Sequence, residues 1–422
     1  MMNILISSGS FKDVFTPMQA CDMIGSVVES LGLQNVTIDK VPMVDGGEYS
    51  AVALQENFNL KNIYVNNIIN PYGNNIRSSY LEIREDTAYI DSSSILRLLP
   101  EEDIYKNPLK LTSFGLGQMI AKVVSKGYKN IYIGLGGTNT VDCGIGMAQA
   151  LGVIFYDSKS NEIIPKNGIY LTGDDLVNIN RVDISNVNDD YKDIYIETLC
   201  DGTASIRDMK TPNNQKIGQY FFDTNKLIND QLELGIKQYG VIVEKTLTQI
   251  SKLKFLPINK QQYFGIAGGI NLSLSFIFNL KPKLGYEFFI NKFKVAEKVK
   301  KADLVITGEG RFDNSFNGKT PIGICKLAKS HNKLALFLTG SVSDSMQKYF
   351  NQYLALDLPQ KYKNNGIHAI ISCHNYYNDV EIPLNEAIRN KMFESITPVI
   401  FKSSIKDYLG QELFKKYNII KD

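Results

Sequence analysis

A chain of 422 residues, 44% hydrophobic and 21% charged, has a globular composition. At roughly 150 residues per domain it can build two large domains or three small ones. Its 46 Lys and Arg against 44 Asp and Glu leave a formal charge of +2, which excludes the strong basic field that duplex nucleic acid or an anionic membrane attracts.

A small-molecule partner is therefore expected. The five cysteines stand far apart with no CxxC pair, so neither a zinc knuckle nor a disulfide framework is expected, and the reduced cytoplasm is the expected setting. No apolar run reaches the ~18 residues of a membrane span. Met1 to Ser8 carries no basic stretch before a long apolar core, so it does not read as a signal peptide.

In chain order, Asn3 to Ser7 reads as a buried strand that ends in the polar turn Ser8-Gly9-Ser10-Phe11-Lys12. A helix is predicted from about Thr16 to Leu31, with Thr16 as N-cap, Pro17 as its first residue and Gly32 as its stop. Apolar residues at 20, 23, 24, 27, 28 and 31 keep helical spacing. A strand over 36–41 then runs into Pro42-Met43-Val44-Asp45-Gly46-Gly47-Glu48. Strand, helix, strand is the opening of a βαβ unit and implies a parallel sheet.

Strand-like stretches follow over 66–91, broken by Asn70-Pro71-Tyr72-Gly73. A helix over 113–126, a strand over 130–135, a glycine-rich loop and a helix over 143–151 come next. Residues 158–260 are polar and asparagine-rich, with a strand near 194–199 and helical patterns near 224–252. From about 286 the alternation resumes with a helix (290–300), a strand (303–307), a loop (308–313) and a helix (321–331). Strands over 333–339 and 368–372 and a helical tail of about 45 residues complete it. Two strands in the first 65 residues and three in the last 135 make the five or so that a doubly wound sheet needs. The expectation is one discontinuous α/β domain, 1–66 with 286–422, and a second α/β domain, 67–285, inserted in it.

Four loops carry polar chemistry, three of them at strand ends, where open parallel sheets bind ligands. In Ser8-Gly9-Ser10-Phe11-Lys12 a hydroxyl and an ammonium suit an anionic group, though an ordinary turn reads the same way. Asp45 and Glu48 around a Gly pair can bind Mg²⁺ or orient a hydroxyl, or simply cap a tight turn. The stretch from Gly134 to Gly146 is too glycine-dense for a plain turn and suits a phosphate cradle opening a helix. It has neither a P-loop's Gly-Lys-Ser/Thr nor a dinucleotide fingerprint, because Asn139 stands at the third glycine. Its alternative is close packing of two backbones. In the fourth, Thr307-Gly308-Glu309-Gly310-Arg311-Phe312-Asp313, the two acids can hold a metal or act as base while Lys319 balances phosphate charge. A capped turn before the next helix is the alternative. Asp201, and Gly265 to Gly269, are lesser candidates that can equally be a cap and a helix contact. His331, His368 and His374 adjoin no motif and read as packing or surface residues.

Taken in order, Ser10-Phe11-Lys12, Pro42 to Glu48, Gly134 through Asp142 to Val153, Ala267-Gly268-Gly269, and Ala302 to Arg311 strongly resemble the bacterial glycerate kinase family. The resemblance runs from about residue 3 to 400. It implies a flavodoxin-like, doubly wound parallel-sheet domain, split around an inserted α/β domain that carries the 134–146 loop, with the active site in the cleft between them. It also implies ATP-dependent phosphorylation of D-glycerate to 2-phosphoglycerate, with Mg²⁺ on the nucleotide. No nucleic acid or membrane partner is implied, and a homo-oligomer is compatible with it.

Carried onto this sequence, the resemblance makes Lys12, Asp45, Asp201, Asp313 and Lys319 the catalytic set, with Asp45 or Asp201 as base. Ser10, Gly46, Gly47, Glu48, Gly136, Gly137, Thr138, Asn139, Asp142, Gly268, Gly269, Gly308, Glu309, Gly310 and Arg311 would bind substrate or nucleotide. Such a set suits phosphoryl transfer, which needs charge neutralisation and in-line positioning more than covalent chemistry. The chain departs from the family pattern at Gly9, where an acid is usual, at Asp13 and Tyr49, where glycines are usual, at Gly202-Thr203-Ala204-Ser205 and at Asn314-Ser315-Phe316. A diverged paralogue that takes another small hydroxy acid, or binds without much turnover in a regulatory role, is the alternative.

Overall fold

The computed structural model describes residues 1–11, 14–97, 107–166, 168–206, 226–251, 257–312, 320–350, 353–373, 397–406 and 408. The chain forms two compact units, residues 1–44 with 286–422 and residues 45–285.

The first unit opens with β1 (Met2–Ile6), α1 (Pro17–Glu29) and β2 (Val36–Lys40). Thr16 starts α1 as the sequence predicts. Its Oγ1 accepts the Gln19 N–H at 3.2 Å while Gln19 Oε1 accepts the Thr16 N–H at 2.9 Å, a reciprocal capping box. β1 and β2 pair in parallel, the geometry that the intervening helix requires.

The chain then builds the second unit: α2 (Ser50–Phe58), β3 (Lys61–Ile69), β4 (Asn75–Arg84), β5 (Thr87–Asp91), α3 (Ser93–Leu96), α4 (Phe114–Ser125) and β6 (Asn130–Gly134). It continues through α5 (Ile145–Ala150), β7 (Ile154–Tyr156), β8 (Arg181–Asp183), β9 (Tyr195–Cys200), α6 (Lys226–Ser251), α7 (Ile270–Ile277) and β10 (Asn279–Leu284). Its sheet has the order β10-β9-β6-β5-β4-β3. β10, β9, β6 and β5 are parallel neighbours, and β4 and β3 extend them as antiparallel edge strands. β7 and β8 form a separate antiparallel pair. Residue 66 lies inside β3, which hydrogen-bonds to β4, so the chain enters the second unit earlier, at Asp45.

On returning, the chain forms α8 (Gly285–Lys292), α9 (Val295–Lys301), β11 (Leu304–Phe312), α10 (Thr320–Ser330), β12 (Leu334–Val342), α11 (Asp344–Gln347), β13 (Leu354–Ala355), α12 (Gln360–Asn364) and β14 (Ala369–Ser372), and residues 397–406 are helical. The single helix expected over 290–300 is two, because Lys294 adopts a left-handed φ of 55° between them. β11 also runs past the expected strand end at Thr307. β12 offers it hydrogen-bonding partners out to Val342, so Glu309 pairs with Thr339 and Arg311 with Ser341.

The first unit's sheet is ordered β13-β14-β12-β11-β1-β2, parallel except at the β13 edge. Numbered within the unit, its parallel strands lie 2-1-3-4-5, the flavodoxin-like order. Met2, Ile4, Ile6, Leu304, Ile306, Leu336 and Leu338 bury one face against Ala20, Ile24, Val28, Phe401 and Ile405. The alternate residues Leu5, Val305 and Phe337 are buried too, so both faces are covered. Among the described residues no helix is long and apolar enough to cross a membrane.

Candidate active site

In the second unit the functional loops gather at the carboxyl ends of three adjacent parallel strands. The register sets Asp91, the last residue of β5, opposite Gly134, the last of β6, and Gly134 opposite Leu199 of β9. Beyond β6 the Leu135 N–H donates to the Leu199 carbonyl at 2.9 Å, and the Gly136 N–H donates to the Gly46 carbonyl at 3.0 Å. The 45–48 and 134–137 loops therefore form a backbone-to-backbone seam.

Two glycines make that seam possible. A Cβ on Gly136 would lie 2.4 Å from Gly47 Cα and 3.0 Å from Asp201 Oδ2. One on Gly46, whose φ is +92°, would lie 2.2 Å from the Leu199 carbonyl oxygen. The seam is pinned from within. Ser50 Oγ accepts the Gly46 N–H at 3.0 Å, and Asp45 Oδ1 accepts the Gly47 N–H at 3.1 Å. Asp45, Glu48 and Asp201 remain half-buried beside it, and Gly137 is exposed.

The rest of the glycine-rich loop is scaffold. Asp142 is fully buried and accepts four donors: the Ser113 N–H (2.8 Å) and hydroxyl (2.7 Å), the Gly144 N–H (3.0 Å) and the Gly146 N–H (3.3 Å). Burial raises its pKa, against those donors, which lower it. Asn139 is buried, and its N–H donates to the Leu96 carbonyl at 3.1 Å. A Cβ on Gly268 would lie 1.7 Å from the Thr140 carbonyl oxygen, one on Gly269 would lie 3.1 Å from Cys143 Sγ, and the Cys143 N–H donates to the Gly268 carbonyl at 3.0 Å. Of the residues expected to bind ligand, then, Asn139, Asp142, Gly268 and Gly269 clamp the loop from beneath. Asp45, Glu48 and Asp201 are half-buried and Gly137 exposed, which makes them its candidate working surface; Gly46, Gly47 and Gly136 are buried in the seam, and Thr138 is half-buried next to Gly137.

In the first unit, Ser8 Oγ donates to the Gly308 carbonyl at 3.2 Å and the Gly9 N–H donates to the same oxygen at 3.0 Å. Phe11 is buried and edge-on to Phe15 and Phe401, which anchors this turn. Ser10, Glu309 and Gly310 are half-buried at the carboxyl ends of β1 and β11, and Arg311 is exposed. Glu309's charge acts on Cys325 of α10, whose thiol is pushed up chiefly by burial. Lys12, Asp313 and Lys319 lie outside the described residues.

Sequence reasoning passed over Ser50 and Asp91. Asp91 ends an otherwise uncharged, wholly buried strand, and that abrupt acid was the available signal. The residue is 6% exposed. Oδ1 accepts both the N–H (3.0 Å) and the hydroxyl (2.6 Å) of Ser93.

Residues 4–358 match the family model of the glycerate kinase family. The chain belongs to the glycerate kinase family. It is accordingly a kinase. A glycerate kinase of Haemophilus influenzae is 29% identical over 358 residues, spanning 83% of this chain and 89% of that one. A glycerate 2-kinase of Escherichia coli is 28% identical over 349 residues, 82% and 87% of the two chains. A crystal structure titled as a glycerate kinase 2 from Salmonella typhimurium LT2 superposes with a TM-score of 0.69 at 24% identity, covering 98% of this chain and all of that one, which supports the fold. Within this glycerate kinase family member, Tyr49 stands where the family pattern has glycine, and its φ is +69°, a left-handed conformation that a bulky residue adopts only under strain.

Proposed function

We propose that this chain is an ATP-dependent glycerate kinase that phosphorylates D-glycerate to 2-phosphoglycerate. The observation that carries the reading is the Gly47–Gly136 seam with Asp45 and Asp201 beside it at the carboxyl ends of parallel strands. Gly137, at the end of the seam, is exposed, and glycine there lets an anionic oxygen approach without a Cβ in the way. The names of the relatives supply the substrate.

In the proposed reaction the C2 hydroxyl oxygen of glycerate attacks the γ-phosphorus of ATP. The bond from that phosphorus to the β–γ bridging oxygen breaks, and ADP leaves with the bonding electron pair. The hydroxyl proton passes to a carboxylate. We assign that carboxylate to Asp201, whose Oδ2 lies against the seam, 3.0 Å from where a Cβ on Gly136 would stand. Arg311, with Lys12 and Lys319, would offset phosphate and carboxylate charge.

The carboxylates at the seam are hard oxygen donors, as Mg²⁺ prefers. Among the described residues no three acid, His or Cys side chains gather as a metal site. Asp45 is the carboxylate that would hold the ion. Such an ion supplies neutralisation of phosphate charge.

The test is ADP release from ATP, Mg²⁺ and D-glycerate, with the product read by ³¹P and ¹H NMR. Turnover well above the no-glycerate control, with phosphate on C2, is expected, and Asp201→Asn should lower kcat by at least about a hundred-fold. A folded protein without glycerate-dependent turnover would sink the proposal and favour another hydroxy acid or a binding role.

A further inference from the structure

We propose that Asp91 is a positioning residue of the phosphoryl-transfer site: its carboxylate holds Ser93, and through it sets Gly137, with Glu48 on the other side, in the geometry that the reaction uses. The inference rests on the kinase reading above and adds a residue to that site.

Two observations converge on it. The register places Asp91 directly beside Gly134, the residue from which the glycine loop departs. Ser93, held by two bonds to Asp91 Oδ1, lies against that loop, since a Cβ added to Gly137 would be 3.3 Å from Ser93 Cβ and 2.8 Å from Glu48 Cγ. Gly137 is thus gripped between a residue that Asp91 positions and an acid at the seam.

The charged group acting on Asp91 is Glu48, from the loop before α2, and Glu48 in turn faces Arg97 at 3.8 Å. Tyr89, on Asp91's own strand, is buried, and its hydroxyl is raised by burial first and by Asp91's charge second. Burial holds the Asp91 carboxyl up at about 6, against the Ser93 bonds that lower it. As pH falls through that value Asp91 takes up a proton and its grip on Ser93 weakens. The site should therefore lose activity on the acid side because of a residue that never touches substrate.

The experiment is the pH profile of kcat/KM from pH 5 to 9 for the full-length wild type, Asp91→Asn and Asp91→Glu, with thermal melting at pH 7.5. The wild type is expected to show an acid limb near pH 6. Asp91→Asn keeps the shape but, like the protonated acid, offers Ser93 only a neutral and weaker acceptor. It should melt no lower than wild type, lose at least ten-fold in kcat at pH 7.5, and lose the limb. Asp91→Glu should retain a limb at a shifted pH. An Asp91→Asn enzyme with wild-type kcat, or with the acid limb in place, overturns the proposal while leaving the kinase assignment intact. No glycerate-dependent turnover in the wild type removes the kinase reading itself, and this inference with it.

Discussion

Gly47 and Gly136 come from loops almost ninety positions apart in the chain, yet a Cβ on Gly136 would stand 2.4 Å from the Cα of Gly47. Backbone cannot yield as a side-chain end can, so Gly136→Ala must part the two loops. The expected result is a loss of about a hundred-fold in kcat/KM, as misplacement by an ångström produces, with about 1–3 kcal/mol of stability. Gly202→Ala is the folding control, since nothing lies within 4 Å of its added Cβ. Steady-state kinetics and urea unfolding of both variants check this.

Asp142 separates scaffold from chemistry. With four donors converging on one enclosed carboxylate, Asp142→Ala should cost about 3–5 kcal/mol by urea unfolding. Asp201→Asn, at a half-buried position, should cost under about 1 kcal/mol while removing turnover. If the two variants exchanged these phenotypes, the division of the glycine-rich loop into clamp and working surface would be wrong.

Tyr49 points the other way, toward stabilisation. Its φ of +69° at the N-cap of α2 is left-handed, and glycine adopts that conformation without the roughly 1–2 kcal/mol penalty of an L side chain. Tyr49→Gly is expected to raise stability by about 1 kcal/mol, read as a higher melting temperature. A lower one would mean that the ring's contacts outweigh the backbone strain.

The titration of Asp91 fixes a pH dependence of stability. Its folded value, about 6, lies above the 3.8 of an unperturbed Asp. The folded chain therefore binds more protons between those values than the unfolded one. The stability this contributes is fully present below about pH 4 and is lost as pH rises through 6. Relative to wild type, Asp91→Asn should gain about 1.4 kcal/mol between pH 5 and pH 8, measured by urea unfolding at both. An unchanged gap would place the carboxyl in water.

The parts of the fold legible in sequence were those where burial is two-sided. β1, β6 and the start of β11 read as strands because parallel strands covered on both faces become continuous apolar runs. β3 was less clear: it is an edge strand with most residues partly or fully exposed, so its pattern carries little hydrophobic signal and the unit boundary drawn through it fell too late. The far half of β11 looked like a loop because Gly308, Glu309, Gly310 and Arg311 have poor strand propensity, and pairing to β12 overrides that. At the site, glycine density marked the right loops but could not tell which polar groups face outward. Asp142 and Asp201 look alike as letters, and only packing makes one a strut. Asp91 escaped notice because it sits in no glycine motif.

The order of the first unit's sheet has a consequence for biosynthesis. β1 lies between β2 and β11, with Ile4 set against Leu304, so the strand made first has no partner on one side until about three hundred further residues exist. The 45–285 unit is contiguous in sequence and can close its own core as it emerges. On the ribosome, the inserted unit should therefore fold while the amino-terminal strand pair waits, with Ile4 and Ile6 exposed. Nascent chains arrested before residue 304 would then protect the second sheet from proteolysis and leave residues 1–44 open to cleavage.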